Sequence, residues 1–96
     1  MLLKILLERI KMEEQTLKKV LQILEEQYVK DPPYYVGASR LRARLDMPVD
    51  ELRYYAWFLK SQGYAYESEG LPTSGSFIVR LNHNGHVAYQ NHQISL

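Results

Sequence analysis

VGASRLRARLDMPVDELRYYAWFLKSQGY, residues 36–64, reads as two helices around a tight turn. Leu41 and Leu45 are four apart and share one helical face. Gly37 or Ser39 can cap the start of that helix. Met47-Pro48 ends it, because the proline ring disfavours helical geometry in the residue before it. Pro48 then suits the opening of the next helix, where no amide donor is needed. Asp50 and Glu51 fall in that first turn, against the positive end of the helix dipole. Leu52, Ala56 and Leu59, with Tyr55 beside them, form the inward stripe. Gly63 stops the helix and Tyr64 begins an extended segment.

At this spacing, Leu41, Leu45, Met47, Leu52, Ala56, Leu59 and Gly63 resemble the helix-turn-helix of small winged-helix transcription regulators. In that family the second helix is the recognition helix. The resemblance implies that Asp50, Glu51, Arg53, Tyr54 and Trp57 stand at base-contacting positions. It also implies that Ser39, Arg40 and Arg44 lie near phosphates. The family usually has a small residue just after the first leucine; here it is Arg42, whose stem must snorkel outward unless the helices are spaced differently.

Upstream, residues 2–29 contain no Gly or Pro and read as helix. Leu3, Ile10, Leu17 and Leu24 are seven apart, while Glu13 and Glu14 break the second apolar row. Residues 14–29 are expected as the first helix of the core, with Leu17, Val20, Leu21 and Leu24 inward. Residues 2–10 hold six apolar side chains in nine, a stripe that needs cover. We expect a homodimer through Leu3, Leu6, Leu7 and Ile10. Packing back on the same domain is the alternative, as is a natural start at Met12. Asp31-Pro32-Pro33 ends the first helix, and Tyr34-Tyr35-Val36 can pair as a short strand.

After Gly63 the period changes to two. Tyr64 and Tyr66 alternate with Ala65 and Glu67, and Phe77, Val79 and Leu81 alternate with Ile78 and Arg80. The turn-rich stretch between them makes a β-hairpin, the candidate wing. Asn82 then caps a short helix that includes Gly85. The expected fold is α+β: a winged helix-turn-helix with a three-helix core, a two- or three-stranded β-hairpin wing, a short C-terminal helix and an extended N-terminal helix. Its parts are an apolar helical extension at 1–11, the winged-helix domain at 12–90 and a loose tail at 91–96.

Ninety-six residues make one small domain. Without cysteine there is neither a disulfide framework nor a thiolate metal site. Lys4, Glu8, Arg9 and Lys11 interrupt the N-terminal apolar run too early for a membrane span, and no signal cleavage site follows it. A cytoplasmic protein with no membrane contact is expected. Net charge is only +1: residues 1–35 carry six Lys/Arg and six Asp/Glu, residues 36–96 six and five. That weighs against strong non-specific DNA affinity.

The candidate DNA-binding residues are Ser39, Arg40, Arg44, Arg53, Tyr54, Trp57, Lys60 and Arg80. On the wheel of the second helix Asp50, Tyr54, Trp57 and Ser61 point outward, with Arg53 and Lys60 on one flank and Glu51 and Phe58 on the other. Arg53 can reach a guanine edge or a phosphate, and Tyr54 a phosphate oxygen. Against this, Asp50 and Glu51 serve simply as helix-start charges, and Tyr54 with Trp57 suits a protein interface. Arg40 and Arg44 share a face that is either a phosphate clamp or a solvated surface paired in part with Asp46. His83, His86 and His92 lack the acidic neighbours and ligand count of a zinc site and read as exposed histidines. No nucleophile elbow, phosphate loop or isolated carboxylate pair points to an enzyme, and no cofactor is expected. The function expected is a homodimeric transcription regulator on duplex DNA. The alternative is a winged-helix module that binds a protein partner.

Overall fold

The computed structural model describes residues 12–69 and 76–96. The element order is α1 (Glu14–Lys30), β1 (Val36–Gly37), α2 (Ala38–Leu45), α3 (Val49–Ser61), β2 (Ala65–Glu69), β3 (Phe77–Leu81) and α4 (His83–Gln90). The fold of the described residues is therefore α+β, four helices and one three-stranded antiparallel sheet in the order β1-β3-β2. The expected dimerisation segment at 1–11 and the tip of the hairpin at 70–75 lie outside the described residues.

The core forms where the period-3.6 and period-2 patterns meet. Helix α1 contributes Leu17, Val20, Leu21 and Leu24, and also Ile23. The helix pair contributes Ala38, Leu41, Leu52, Tyr55, Ala56 and Leu59. The sheet presents Val36, Ala65, Phe77, Val79 and Leu81 on its inner face. Each large aliphatic side chain so buried stabilises the fold by about 1.5–3 kcal/mol relative to exposure. The register pairs Val36 with Val79 and Ala65 with Leu81, so inward residues sit opposite inward residues. Tyr55 adds a polar tie: its hydroxyl accepts from the Glu13 amide at 2.8 Å, joining α3 to the start of α1.

The turn between α2 and α3 differs in detail from the sequence expectation. Helix α2 ends at Leu45, and Asp46 takes the left-handed conformation with φ 50°. Its amide donates to the Arg42 carbonyl, closing the last turn. Pro48 stands at the cap position of α3 and Val49 opens the helix. Gly63 ends α3 with φ 81°, a conformation that side chains resist.

Gly85 has a different role. A Cβ there would come within 2.0 Å of the Tyr64 carbonyl oxygen, so only glycine allows α4 to lie this close to the start of β2. Asn82 fixes the same junction. Its Oδ1 accepts from the Gly85 amide and its Nδ2 donates to the Gly63 carbonyl, both at 2.8 Å. Asn82 is thus the expected cap and also a cross-link to the end of α3.

Residues 91–96, expected as a loose tail, fold back onto the domain. Ile94 joins the core at 8% exposure, the Gln93 amide donates to the Ala88 carbonyl, and the Leu96 amide donates to Glu14. Two apolar side chains in six residues, Ile94 and Leu96, carry too little periodicity to announce this docking.

Candidate nucleic-acid interface

Helix α3 is buried along one stripe and open along the other. Asp50, Ser61 and Lys60 are exposed, Tyr54 is half-buried, and Trp57 is 40% exposed. Tyr54 and Trp57 meet edge to face with ring centroids 5.4 Å apart. Phe58, placed on a flank, packs partly against the core.

Of the two flank cations, Arg53 is half-buried and lies 5.9 Å from both the Trp57 and Phe77 rings. It thus spans the exposed aromatic pair and the first residue of β3. Lys60 pairs with Glu67 at 3.6 Å, and the Glu67 side chain is almost wholly covered although Lys60 is open. Lys60 is therefore tied to the sheet, a partner the sequence reading did not foresee. The strand period carries the signal, because Glu67 shares the inward side of β2 with Ala65.

Ser39, Arg40 and Arg44 are exposed on α2. The arginines lean toward α1, not toward Asp46. Arg40 donates to Gln27 Oε1 at 2.6 Å, and Arg44 lies 3.6 Å from Glu26. The partners sit on an earlier helix, so helical spacing within 36–64 could not name them. Arg44 and Glu26 are each about half-exposed, and a pair of this kind contributes little. Both arginines can therefore exchange these partners for a phosphate at small cost. Residues 38–61 hold five Lys/Arg and three Asp/Glu, so this part of the surface is more basic than the chain average.

Arg80 is elsewhere. It lies on the outer face of the sheet, away from Phe77, Val79 and Leu81, with Tyr35 on one side and Tyr66 on the other.

The histidines divide. His83 and His92 are exposed, as expected. His86 is not: its Nδ1 is 2.7 Å from Oε1 of Glu25, a carboxylate 8% exposed in α1. Gln90 Nε2 donates to the other carboxylate oxygen at 2.9 Å, and Tyr28 stacks on the His86 ring. Glu25 is thus a partnered buried charge that docks α4 on α1. A separation of 61 residues hid this contact from any local reading. Among the described residues no group of three His, Asp or Glu is placed to hold a metal ion. No described helix is long and apolar enough to cross a membrane.

Comparison with known proteins is sparse. No protein-family model matches the chain, and no curated protein matches its sequence. Among solved structures the fold is similar to a crystal structure from Ralstonia eutropha JMP134 described as a "putative DNA-binding protein". The similarity covers 84% of this chain and 98% of that one, at a TM-score of 0.70 and 18% identity. At that identity, what the two chains share is the compact α+β fold.

Proposed function

We propose that this chain is a winged helix-turn-helix protein that binds duplex DNA as a homodimeric transcription regulator. Helix α3 enters the major groove, with Arg53 at the base edges and Tyr54 at the backbone. Arg40 and Arg44, with Ser39 beside them, hold phosphates from α2. The observation that carries the reading is the arrangement of α2 and α3. Two helices meet at a tight turn, the second keeps one face in solvent, and Arg40 and Arg44 on the first are held only by weak surface contacts. The likeness to a structure described as DNA-binding supports the same direction. Dimerisation is assigned to residues 1–11, through Leu3, Leu6, Leu7 and Ile10. It requires two half-sites about one helical turn apart.

The test is fluorescence anisotropy with a labelled random-sequence duplex at low and near-physiological salt, using the full chain and an Arg40→Ala/Arg44→Ala variant. The expected result is binding that weakens steeply with salt and is largely lost in the variant. No binding at low salt would refute the proposal. Sedimentation of the full chain against one lacking residues 1–11 tests the dimer.

One observation favours a second reading. Trp57 is well exposed beside Tyr54, and α3 opens with Asp50 and Glu51, a composition that suits a protein interface. In that reading the emission of Trp57, the sole tryptophan, moves to the blue when the partner covers it.

A further inference from the structure

The outer face of the sheet, where the candidate Arg80 lies, is a surface apart from helices α2 and α3. Alternation along β3 turns Ile78 and Arg80 outward while Phe77, Val79 and Leu81 face the core. Tyr66 of β2 pairs with Arg80 across the ladder, and Tyr35, the residue before β1, reaches Arg80 from the opposite side. The guanidinium carbon lies 4.5 Å from the Tyr66 ring centroid and 5.1 Å from that of Tyr35. This is a tyrosine–arginine–tyrosine row spanning the three-stranded sheet.

Four features set the row apart. Both rings stay accessible, Tyr66 at 50% and Tyr35 at 37%, with Tyr34 more open still. Arg80 pairs with no carboxylate among the described residues, and its Nε is buried without a hydrogen-bond partner. Glu67 of β2 turns its side chain inward to Lys60. Beside Tyr35 the face also has room at Gly37, opposite Ile78, where an added Cβ would meet Ser39 Oγ at 3.8 Å, an ordinary contact distance.

We propose that this outer sheet face binds single-stranded nucleic acid, separately from α3. Unpaired bases stack on Tyr35 and Tyr66, and Arg80 neutralises the backbone phosphate between them. The chemistry selects this occupant. Stacking needs exposed π-faces, and the phosphate needs a cation with no competing carboxylate. A protein interface of similar size wants a continuous apolar centre, whereas among the described residues that β3 turns outward Ile78, 36% exposed, is aliphatic and Arg80 is charged. A duplex offers no unstacked base to the rings. The proposal does not depend on the duplex reading, and either can fail alone.

The experiment uses the full chain, a labelled fifteen-nucleotide oligo-dT and a labelled duplex, followed by anisotropy. The native protein is expected to bind oligo-dT. The Tyr35→Leu/Tyr66→Leu variant is expected to lose about tenfold or more in that affinity with duplex binding unchanged, while Tyr35→Phe/Tyr66→Phe retains it. Equal oligo-dT binding by the leucine variant, or none by the native protein, overturns the proposal. So does a parallel loss of duplex affinity, which would make the row part of one duplex site. Self-association abolished by the leucine variant, in place of oligonucleotide binding, overturns it in favour of a protein interface. Photo-crosslinking of 5-iodouracil-substituted oligo-dT to the unaltered protein covers the case in which the leucine variant does not fold. Crosslinks at Tyr34, Tyr35 or Tyr66 support the platform, and crosslinks confined to Trp57 refute it.

Discussion

The two faces that carry exposed aromatic rings and arginines hold their cations in different ways. On α2, Arg40 and Arg44 reach across to Gln27 and Glu26 of α1, polar partners that water or a phosphate can replace. On the sheet, Arg80 is held between Tyr35 and Tyr66, with no carboxylate paired to it among the described residues. The helical face is a set of long, exchangeable side chains near an acidic helix start. The sheet face is narrower and pre-positioned, with ring faces beside the charge. Cation placement, more than the net charge of +1, distinguishes them.

Both faces rest on one scaffold, and the sharpest way to break the comparison is to remove that scaffold. In Gly85→Ala the new methyl meets the Tyr64 carbonyl, a backbone atom that cannot swing aside. The expected cost is about 3 kcal/mol, read as a fall of roughly 15 °C in Tm. Thermal unfolding by circular dichroism measures it, and an unchanged Tm would show that α4 does not lie against β2 as described. Next in size is Arg40→Ala/Arg44→Ala, which should lower the slope of log affinity against log salt for duplex by about 1.8. Oligo-dT binding should not move. Equal losses for both ligands would erase the distinction between the faces.

A smaller effect is expected from Arg53→Ala. It should cost about 1–3 kcal/mol in duplex affinity at the preferred site and relax base preference there. If site selection returns the same sequence with the same affinity, α3 is not the reading helix. The smallest effect is expected from Glu26→Gln. Freeing Arg44 should raise duplex affinity by less than about 1 kcal/mol, with more gain at low salt than at high, and the thermal midpoint should hardly change. A decrease in affinity would mean that Glu26 positions Arg44 instead of competing with phosphate.

Much of the architecture was legible because it depends on local periods. Leu17, Val20, Leu21 and Leu24 at helical spacing, Leu52, Ala56 and Leu59 after Pro48, and Phe77, Val79 and Leu81 at period two all became core. Gly63 and Asn82 ended and began helices as their backbone and capping chemistry requires. The candidate site was legible in part: the outward positions of Asp50, Trp57 and Ser61 follow from the wheel, and so does the flank position of Lys60.

What the sequence determined by itself is the order and inner faces of the elements, since a period of 3.6 or 2 fixes which side of an element is apolar. What only the tertiary structure decided is who meets whom across the chain. Arg44 meets Glu26, Lys60 meets Glu67, His86 meets Glu25, Ile94 joins the core, and Arg80 stands between Tyr35 and Tyr66. These contacts arise when packed elements bring distant residues together, and no local pattern of charge or hydropathy encodes that distance.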